Sequence, residues 1–186
     1  MMDTQKFWHG KSAVVTGGAR GQGAAVARML LEAGAQVHVM DRLPADDPAW
    51  QQMREYAQAQ AGALHLHASD VALADSWEQL AGQLRTGDCP LAALVNNAGI
   101  TGPRNTVTQT VMEDWERVIG INLTGAFLGI RALAPLMPPG GAIVNVSSTV
   151  GMTGYYSAAY STSKWALRGL TKSASLELAG RGIRVN

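Results

Sequence analysis

The sequence predicts a single α/β domain in which a doubly wound parallel sheet carries helices on both faces. Three observations support this prediction. Short β-rich runs alternate along the chain with longer amphipathic segments. The predicted strands are almost continuously apolar, as is typical of parallel strands that are covered on both faces. The chain has 186 residues, of which 47% are hydrophobic and 16% charged, so it can bury the core of one ordinary domain.

Strands and helices alternate along the whole chain. Strands are predicted at residues 12–17, 35–41, 63–71, 91–99, 141–148 and 183–186. Helices are predicted between them, at residues 23–33, 49–59, 76–84, 111–120, 123–136 and 159–179. Gly34 and Gly180 follow two of these helices, where glycine commonly ends a helix. No linker or internal repeat interrupts the pattern, so residues 1–186 are assigned to one domain.

Composition and charge exclude several classes of function. The net charge of +1 predicts no broad basic face, and therefore no nucleic-acid partner. Cys89 is the only cysteine, which rules out an intramolecular disulfide and favours a reducing compartment. Residues 1–11 contain no apolar run typical of a signal peptide, and no uninterrupted apolar stretch is long enough to span a bilayer. We therefore expect a cytoplasmic protein that does not bind a membrane.

A glycine-rich turn, TGGARGQG, follows the first predicted strand. Gly17, Gly21 and Gly23 form the pattern G-x-x-x-G-x-G, which differs from the common G-x-G-x-x-G fingerprint but shares its physical basis. Such a turn lets a pyrophosphate approach the amides at a helix N-terminus. Asp41 ends the second strand, where a carboxylate can accept hydrogen bonds from an adenosine ribose. Either feature alone could be an ordinary turn, but together they favour dinucleotide binding.

Asp41 also bears on the choice of dinucleotide. Its carboxylate would face the 2′-phosphate of NADP, and like charges brought together cost several kcal/mol. Arg20 and Arg42 are the opposing observation, because either guanidinium could reach that phosphate. The sequence therefore predicts NAD, with NADP as the less favoured cofactor.

Tyr160 and Lys164 are four residues apart in a predicted helix, so they share one helical face. In isolation such a pair is most often a weak surface contact. A free tyrosine is a poor base at neutral pH because its pKa is about 10. A neighbouring ammonium favours the phenolate, which would make the tyrosine usable as an acid and base.

In their order along the chain, these segments resemble the short-chain dehydrogenase/reductase family, and in particular its bacterial hydroxysteroid and other secondary-alcohol dehydrogenases. The segments that match are TGGARGQG (16–23), DV (70–71), NNAG (96–99), INLTGAF with its Asn122, SS (147–148) and YSTSK (160–164). The resemblance implies a Rossmann-like fold and a catalytic tetrad of Asn122, Ser148, Tyr160 and Lys164. Ser147 remains an alternative, because the interval between Ser148 and Tyr160 is one residue shorter than is common in the family.

The resemblance also implies a set of cofactor contacts. Asp70 and Val71 would hold the adenine, and Asn97 would line the groove near a ribose. Lys164 would bond the nicotinamide ribose, while Ser148 would hold the substrate oxygen within reach of Tyr160. A water near Lys164 would be held by the backbone or side chain of Asn122. The full predicted cofactor set is Gly17, Arg20, Gly21, Gln22, Gly23, Asp41, Asp70, Val71, Asn97, Tyr160 and Lys164.

The substrate is predicted to be a small hydrophobic alcohol or ketone, such as a steroid. Residues 149–156 (TVGMTGYY) should border it with an apolar, partly aromatic wall, and no Arg or Lys interrupts them, which argues against an anionic substrate. The leading interpretation is an NAD-dependent secondary-alcohol dehydrogenase. Two others remain open: an NADP-dependent 3-oxoacyl reductase, and a non-catalytic dinucleotide-sensing protein.

Four further expectations concern metals, the core, the chain end and assembly. His65 and His67 would share one face of a strand, but no third ligand with credible spacing is visible, so no metal site is predicted. Trp115 and Phe127 are expected in the core.

Family members normally continue beyond the segment RGIRVN with a substrate-covering segment and a further strand, so a chain ending at Asn186 is expected to turn over little substrate. The resemblance also implies a homotetramer or homodimer.

Overall fold

Six strands form one fully parallel sheet in the computed structural model, which describes residues 7–186. The expectation that residues 1–11 contain no signal peptide falls partly on residues 1–6, which lie outside the described residues. The strands are β1 (Ser12–Thr16), β2 (Gln36–Asp41), β3 (Leu64–Ala68), β4 (Leu91–Asn96), β5 (Ala142–Asn145) and β6 (Arg184–Val185). Their order across the sheet is β3-β2-β1-β4-β5-β6. The strand order therefore reverses between the neighbours β1 and β4, where ligands bind in doubly wound folds.

Between Ser12 and Asn186, six α-helices accompany the strands, as predicted, with ends shifted by a few residues. They are α1 (Gly21–Glu32), α2 (Pro48–Gln58), α3 (Ala74–Thr86), α4 (Met112–Ile119), α5 (Gly125–Leu133) and α6 (Ala158–Leu178). The predicted helix 123–136 is less regular than expected. A π-helical turn, Gly120–Thr124, joins α4 to α5, and a 3₁₀ turn at Ala134–Leu136 follows α5, where Pro135 cannot donate a helical hydrogen bond.

Helices cover both faces of the sheet, which confirms the predicted class. Alternate residues of one strand point to opposite faces. On β1, Val15 packs with α1 and α2, whereas its neighbour Val14 packs in a cluster with side chains of α3, α5 and α6. Both valines are fully buried. This double cover explains the apolar runs in the central strands.

Strand β3 departs from the predicted pattern of burial. It pairs only with β2 at the edge of the sheet, and none of its five residues is buried. Its sequence LHLHA alternates between apolar and polar residues. An edge strand is less completely covered than a central one, so the expectation of burial on both faces fails here.

The helical run Met112–Leu136 bears on the expectation that no uninterrupted apolar stretch could span a bilayer. It has 25 residues and is apolar enough to cross a membrane by length and composition, but charged residues interrupt it at 113, 114, 116, 117 and 131. Half of its most apolar window is buried inside the domain. Core helices pass the same test, and this run belongs to the layer that covers the sheet.

Candidate active site

A groove of about 340 Å³ opens at the carboxyl ends of β1, β2 and β4. It lies at the reversal of strand order, where a dinucleotide is expected in this fold. Seven predicted cofactor residues line it: Gly17, Arg20, Gln22, Asp41, Asp70, Val71 and Asn97. Gly21 and Gly23 do not line the groove but shape the turn beside it.

The glycines of the turn allow close backbone packing. A Cβ on Gly17 would lie 2.9 Å from Ala98 Cα, and a Cβ on Gly23 would lie 2.2 Å from the carbonyl oxygen of Gly17. Gly21 has open space around it, but its φ of +57° is a conformation that other residues rarely adopt. The first and third glycines are therefore required by space and the second by backbone conformation.

Asn97 holds the glycine turn in place as well as lining the groove. Its side-chain amide donates to the carbonyl oxygens of Thr16 (2.9 Å) and Gly17 (3.1 Å). In return the Thr16 hydroxyl accepts hydrogen bonds from the backbone amides of Asn97 and Ala98, each at 3.0 Å. The sequence analysis assigned no role to Thr16, although its position directly before the first glycine of the turn could have indicated a structural role there.

The carboxylate of Asp41 lies at the end of β2, beside the glycine turn. Its Oδ2 accepts a hydrogen bond of 3.2 Å from the backbone amide of Ala19. Arg20 and Arg42 line the same groove. Neither guanidinium has a carboxylate partner among residues 7–186, where the ion pair found joins Arg117 to Asp114. The carboxylate of Asp41 and the guanidiniums of Arg20 and Arg42 are thus all available to a cofactor in this groove.

The turn after β3 is fixed by two hydrogen bonds. Asp70 Oδ1 accepts from the backbone amide of Ala72 at 2.8 Å, and Trp77 Nε1 donates to the carbonyl oxygen of Val71 at 2.8 Å. Since Trp77 is buried in the core, it ties this turn to α3. Asp70 and Val71 are therefore held firmly against the groove.

Lys164 and Tyr160 project from the same face of α6, as predicted. Lys164 Nζ lies 5.9 Å from the centre of the Tyr160 ring. The lysine is only 4% exposed, and burial lowers the pKa of its ammonium. Within the described part of the chain, Nζ makes a single hydrogen bond, to the carbonyl oxygen of Val146 at 2.8 Å. An ammonium has three donors, so two remain for a ligand.

Asn122 is buried in the π-helical turn, where its side-chain amide makes three hydrogen bonds. Its Oδ1 accepts from the backbone amide of Ile100 (2.8 Å), and its Nδ2 donates to the Ile100 carbonyl (2.9 Å) and to Ser163 Oγ (3.0 Å). Asn122 Oδ1 can accept one more hydrogen bond, so either the side chain or the backbone of Asn122 could hold a water near Lys164. A Cβ on Gly99 would lie 3.3 Å from Asn122 Oδ1 and 3.5 Å from Lys164 Nζ, so the absence of a side chain there leaves room beside both atoms.

The two serines after β5 differ in how their hydroxyls are used. Ser147 Oγ donates to the carbonyl oxygen of Lys164 at 3.2 Å, so its proton is already committed. Ser148 Oγ accepts from the backbone amide of Val150 at 3.2 Å. A hydroxyl that accepts this bond can still donate its own proton to a ligand. This difference favours Ser148 as the substrate-binding serine, and its role remains a prediction.

The predicted substrate wall lies beside Tyr160. The rings of Tyr155 and Tyr160 meet edge-on, with centres 6.1 Å apart. Met152 and Tyr156 are strongly exposed, at 59% and 82%. This segment therefore offers uncovered apolar and aromatic surface next to the tyrosine.

The structure brings a third histidine to the pair that the sequence analysis noted. His38 on β2 lies opposite His65 on β3, and its Nδ1 is 3.2 Å from His67 Nε2. Sequence spacing could not reveal this neighbour, because it comes from another strand. The three rings are stacked nearly parallel, and residues 7–186 contain no group of three or more His, Cys, Asp or Glu side chains that could hold a metal ion.

The parallel sheet, glycine turn and groove define a dinucleotide-binding α/β protein. The chain belongs to the short chain dehydrogenase family, whose model matches residues 11–186. A relative, the 3-alpha-(or 20-beta)-hydroxysteroid dehydrogenase of Mycobacterium tuberculosis, is 42% identical over 180 residues. That match covers 95% of this chain and 66% of the relative, so the chain spans about two thirds of the relative's length.

Solved structures share the fold. A blue fluorescent protein from a metagenomic library, in complex with NADPH, superposes with a TM-score of 0.88 at 32% identity, covering 96% of this chain and 72% of that one. An NAD+-bound xylitol dehydrogenase superposes with a TM-score of 0.87 at 30% identity, covering 96% and 69%. Similar structures thus hold either nucleotide.

Proposed function

We propose that the protein is an NAD-dependent oxidoreductase that interconverts a hydrophobic secondary alcohol and its ketone. Residues 1–186 would form its dinucleotide-binding and catalytic domain. The observation that carries this proposal is the nearly buried ammonium of Lys164 beside Tyr160, next to the groove. Burying a charge costs free energy, and a side chain that only filled space at position 164 would not need a charge, so the buried ammonium indicates a functional role.

The residues of the groove fit a dinucleotide. Gly17 and Gly23 let the turn pack closely against Asn97 and Ala98, and this packing places the N-terminus of α1 beside the groove, where its amides can meet a pyrophosphate. Asp41 would accept hydrogen bonds from the adenosine ribose. The two uncommitted donors of Lys164 would reach the nicotinamide ribose. When bound, the nicotinamide supplies the acceptance or donation of a hydride.

The chain's own residues would move the proton. Ser148 would donate a hydrogen bond to the substrate oxygen and hold it near Tyr160. The phenol oxygen would take the carbinol proton in one direction and return it to the carbonyl oxygen in the other. The charge of Lys164 favours the phenolate that this step requires. A water held by the backbone or the side chain of Asn122 would link Lys164 to solvent.

NAD is proposed because Asp41 lines the groove with its carboxylate fixed by the glycine turn. A 2′-phosphate there would meet a negative charge. The guanidiniums of Arg20 and Arg42, which have no carboxylate partner among residues 7–186, are the specific observation that favours the second candidate, an NADP-dependent 3-oxoacyl reductase. The hydroxysteroid dehydrogenase relative and the exposed apolar wall support a hydrophobic alcohol as the substrate.

The test is a screen of the full chain for absorbance change at 340 nm, with both cofactors and with steroids, cyclic alcohols and acyl thioesters. The Tyr160→Phe variant should lose more than nine-tenths of kcat, because the hydroxyl carries the proton, while NADH binding stays nearly unchanged. Tyr56→Phe is the matched control, since Tyr56 contacts Glu32 at the end of α1 opposite the glycine turn. A Tyr160→Phe variant that keeps more than a tenth of kcat would contradict the acid/base role.

We also propose that the protein forms a homodimer or homotetramer through α5 and α6. A largely apolar groove of about 360 Å³ runs between these helices. Phe127, expected in the core, instead lies in this groove and is 46% exposed. Apolar residues exposed along two adjacent helices are typical of an interface.

A further inference from the structure

A guanidinium lies at the end of the aromatic wall that is remote from Lys164. The Arg104 Cζ is 5.9 Å from the centre of the Tyr155 ring. That ring in turn meets the Tyr160 ring at 6.1 Å. Tyr155 therefore stands between a positive charge on one side and the proposed acid/base on the other.

The backbone that carries Arg104 is held by three contacts. Ile100 is hydrogen-bonded through both its amide and its carbonyl to Asn122. The carbonyl of Thr101 accepts from the buried Ser157, which directly follows the aromatic wall. At Gly102, with a φ of +65°, a Cβ would lie 2.7 Å from a Val118 methyl. The loop after β4 is thus tied to the active site just before Arg104.

Arg104 has no task that the fold itself explains. It is exposed, and among residues 7–186 it has no carboxylate within ion-pair distance. It does not line the dinucleotide groove, whose cations are Arg20 and Arg42. Arg168 is a useful contrast, because it also lies over an aromatic ring but donates to the carbonyl oxygen of Gly151 at 2.8 Å.

We propose that Arg104 binds a carboxylate at the end of the substrate opposite the reacting carbinol. The substrate class would then be a cyclic secondary alcohol whose ring lies against Tyr155 and whose far end carries the acid. A guanidinium suits this task because it can pair with both carboxylate oxygens. The inference rests on the proposed function and revises the expectation of a neutral substrate, because the cation comes from a segment outside residues 149–156.

The test compares two substrates that differ only in charge: a cyclohexanol with a carboxylate opposite the hydroxyl, and its methyl ester. With the full chain, Arg104→Gln should raise KM for the carboxylate by about two- to fivefold, as expected for an exposed ion pair, and leave kcat and the ester nearly unchanged. Arg104→Lys should recover part of the loss. Added salt should raise KM for the carboxylate alone. Arg54→Gln, which removes another exposed arginine on α2, is the matched control.

Two results would overturn the proposal: equal effects of Arg104→Gln on both substrates, or no effect on either. If the unmutated protein turns over neither substrate with either cofactor, the proposed function fails, and calorimetric binding in the presence of NADH still tests Arg104. If the unmutated protein binds the acid more tightly than the ester, and the Arg104→Gln variant loses this preference, the result would support the carboxylate site. Equal binding of the acid and the ester to the unmutated protein would refute it.

Discussion

At the scale of single residues, the site depends on charges held where water is scarce. Lys164 keeps an ammonium in a position that is almost wholly buried, with one backbone carbonyl as its partner. Burial lowers the pKa of this group because the charged form loses hydration. Asp41 differs in that it lies at the rim of the groove, where it can meet the ribose of a cofactor.

Asp41 is predicted to set the cofactor preference. Asp41→Ala should weaken NADH binding and strengthen NADPH binding, each by about tenfold, because a repelling charge near the 2′-phosphate is removed. Asp41→Asn is the sharper variant, since its side-chain oxygen can still accept the hydrogen bond from Ala19 while the charge is gone. Fluorescence titration of the full chain with both reduced cofactors measures the two affinities.

Two results of that titration would refute the charge argument. One is an unmutated protein that already prefers NADPH, which would assign the choice to Arg20 or Arg42. The other is an Asp41→Asn variant with the original preference.

At the scale of elements, β2 and β3 place three histidines in contact at the sheet edge. His38 Nε2 is buried without a hydrogen-bond partner. This nitrogen is better left as a bare lone pair than as an unsatisfied N–H, so we expect His38 to carry its proton on Nδ1 and to donate it to His67 Nε2, 3.2 Å away. Burial first, and then the neighbouring His65 and His67, lower the pKa of His38 to about 3. Burial, followed by His65, also lowers the pKa of His67.

The histidine contact is predicted to make the protein less stable in mild acid. The unfolded chain binds a proton at His38 below about pH 6.5, whereas the folded chain resists it until about pH 3. Stability from this group is therefore complete above pH 6.5 and is lost as the pH falls towards 3, with a loss of about 2 kcal/mol by pH 5. Urea unfolding at a series of pH values measures it.

The variant His38→Leu should reduce this slope between pH 5 and 7, since the group with the pKa of about 3 is gone, while His67, whose pKa is also lowered, keeps part of the slope. His9→Gln, at an exposed histidine, is the matched control and should keep the slope of the unmutated protein. An unchanged slope in His38→Leu would show that other groups cause the acid sensitivity.

At the scale of the whole molecule, the two faces of the sheet have different neighbours. One face is covered by α1 and α2, and the other by α3, α5 and α6. The second face carries the apolar groove between α5 and α6, which leaves Phe127 partly exposed. The proposed catalytic pair, Tyr160 and Lys164, lies on α6 as well, so an interface on this helix would also stabilise the site.

Phe127→Glu is predicted to reduce the oligomeric state of the full chain, because a buried unpaired charge at an interface is costly. Met29→Glu is the matched control, since Met29 is a strongly exposed apolar residue on α1, outside this groove. Light scattering after size-exclusion chromatography measures the mass. A Phe127→Glu variant with the mass of the unmutated oligomer would contradict the proposed interface.

The sequence by itself determined the class of fold and the positions of its elements. Hydrophobic periodicity and glycine placement are local signals, so α6 was predicted within one residue at each end, as 159–179 against Ala158–Leu178. The spacing of Tyr160 and Lys164 placed them on one helical face for the same reason. The glycine turn was equally readable, because its conformation and close packing both demand glycine.

Only the tertiary structure decided which distant segments meet. Thr16 and Asn97, the histidines of two strands, and Arg104 with Tyr155 come together through the sheet and its loops, and no spacing along the chain records those contacts. Tertiary packing also decided which side chains are exposed. The hydrophobic periodicity of its helix predicts that Phe127 is in the core, yet its side chain lies at the surface. Periodicity identifies an apolar face, but what covers that face depends on how the elements pack.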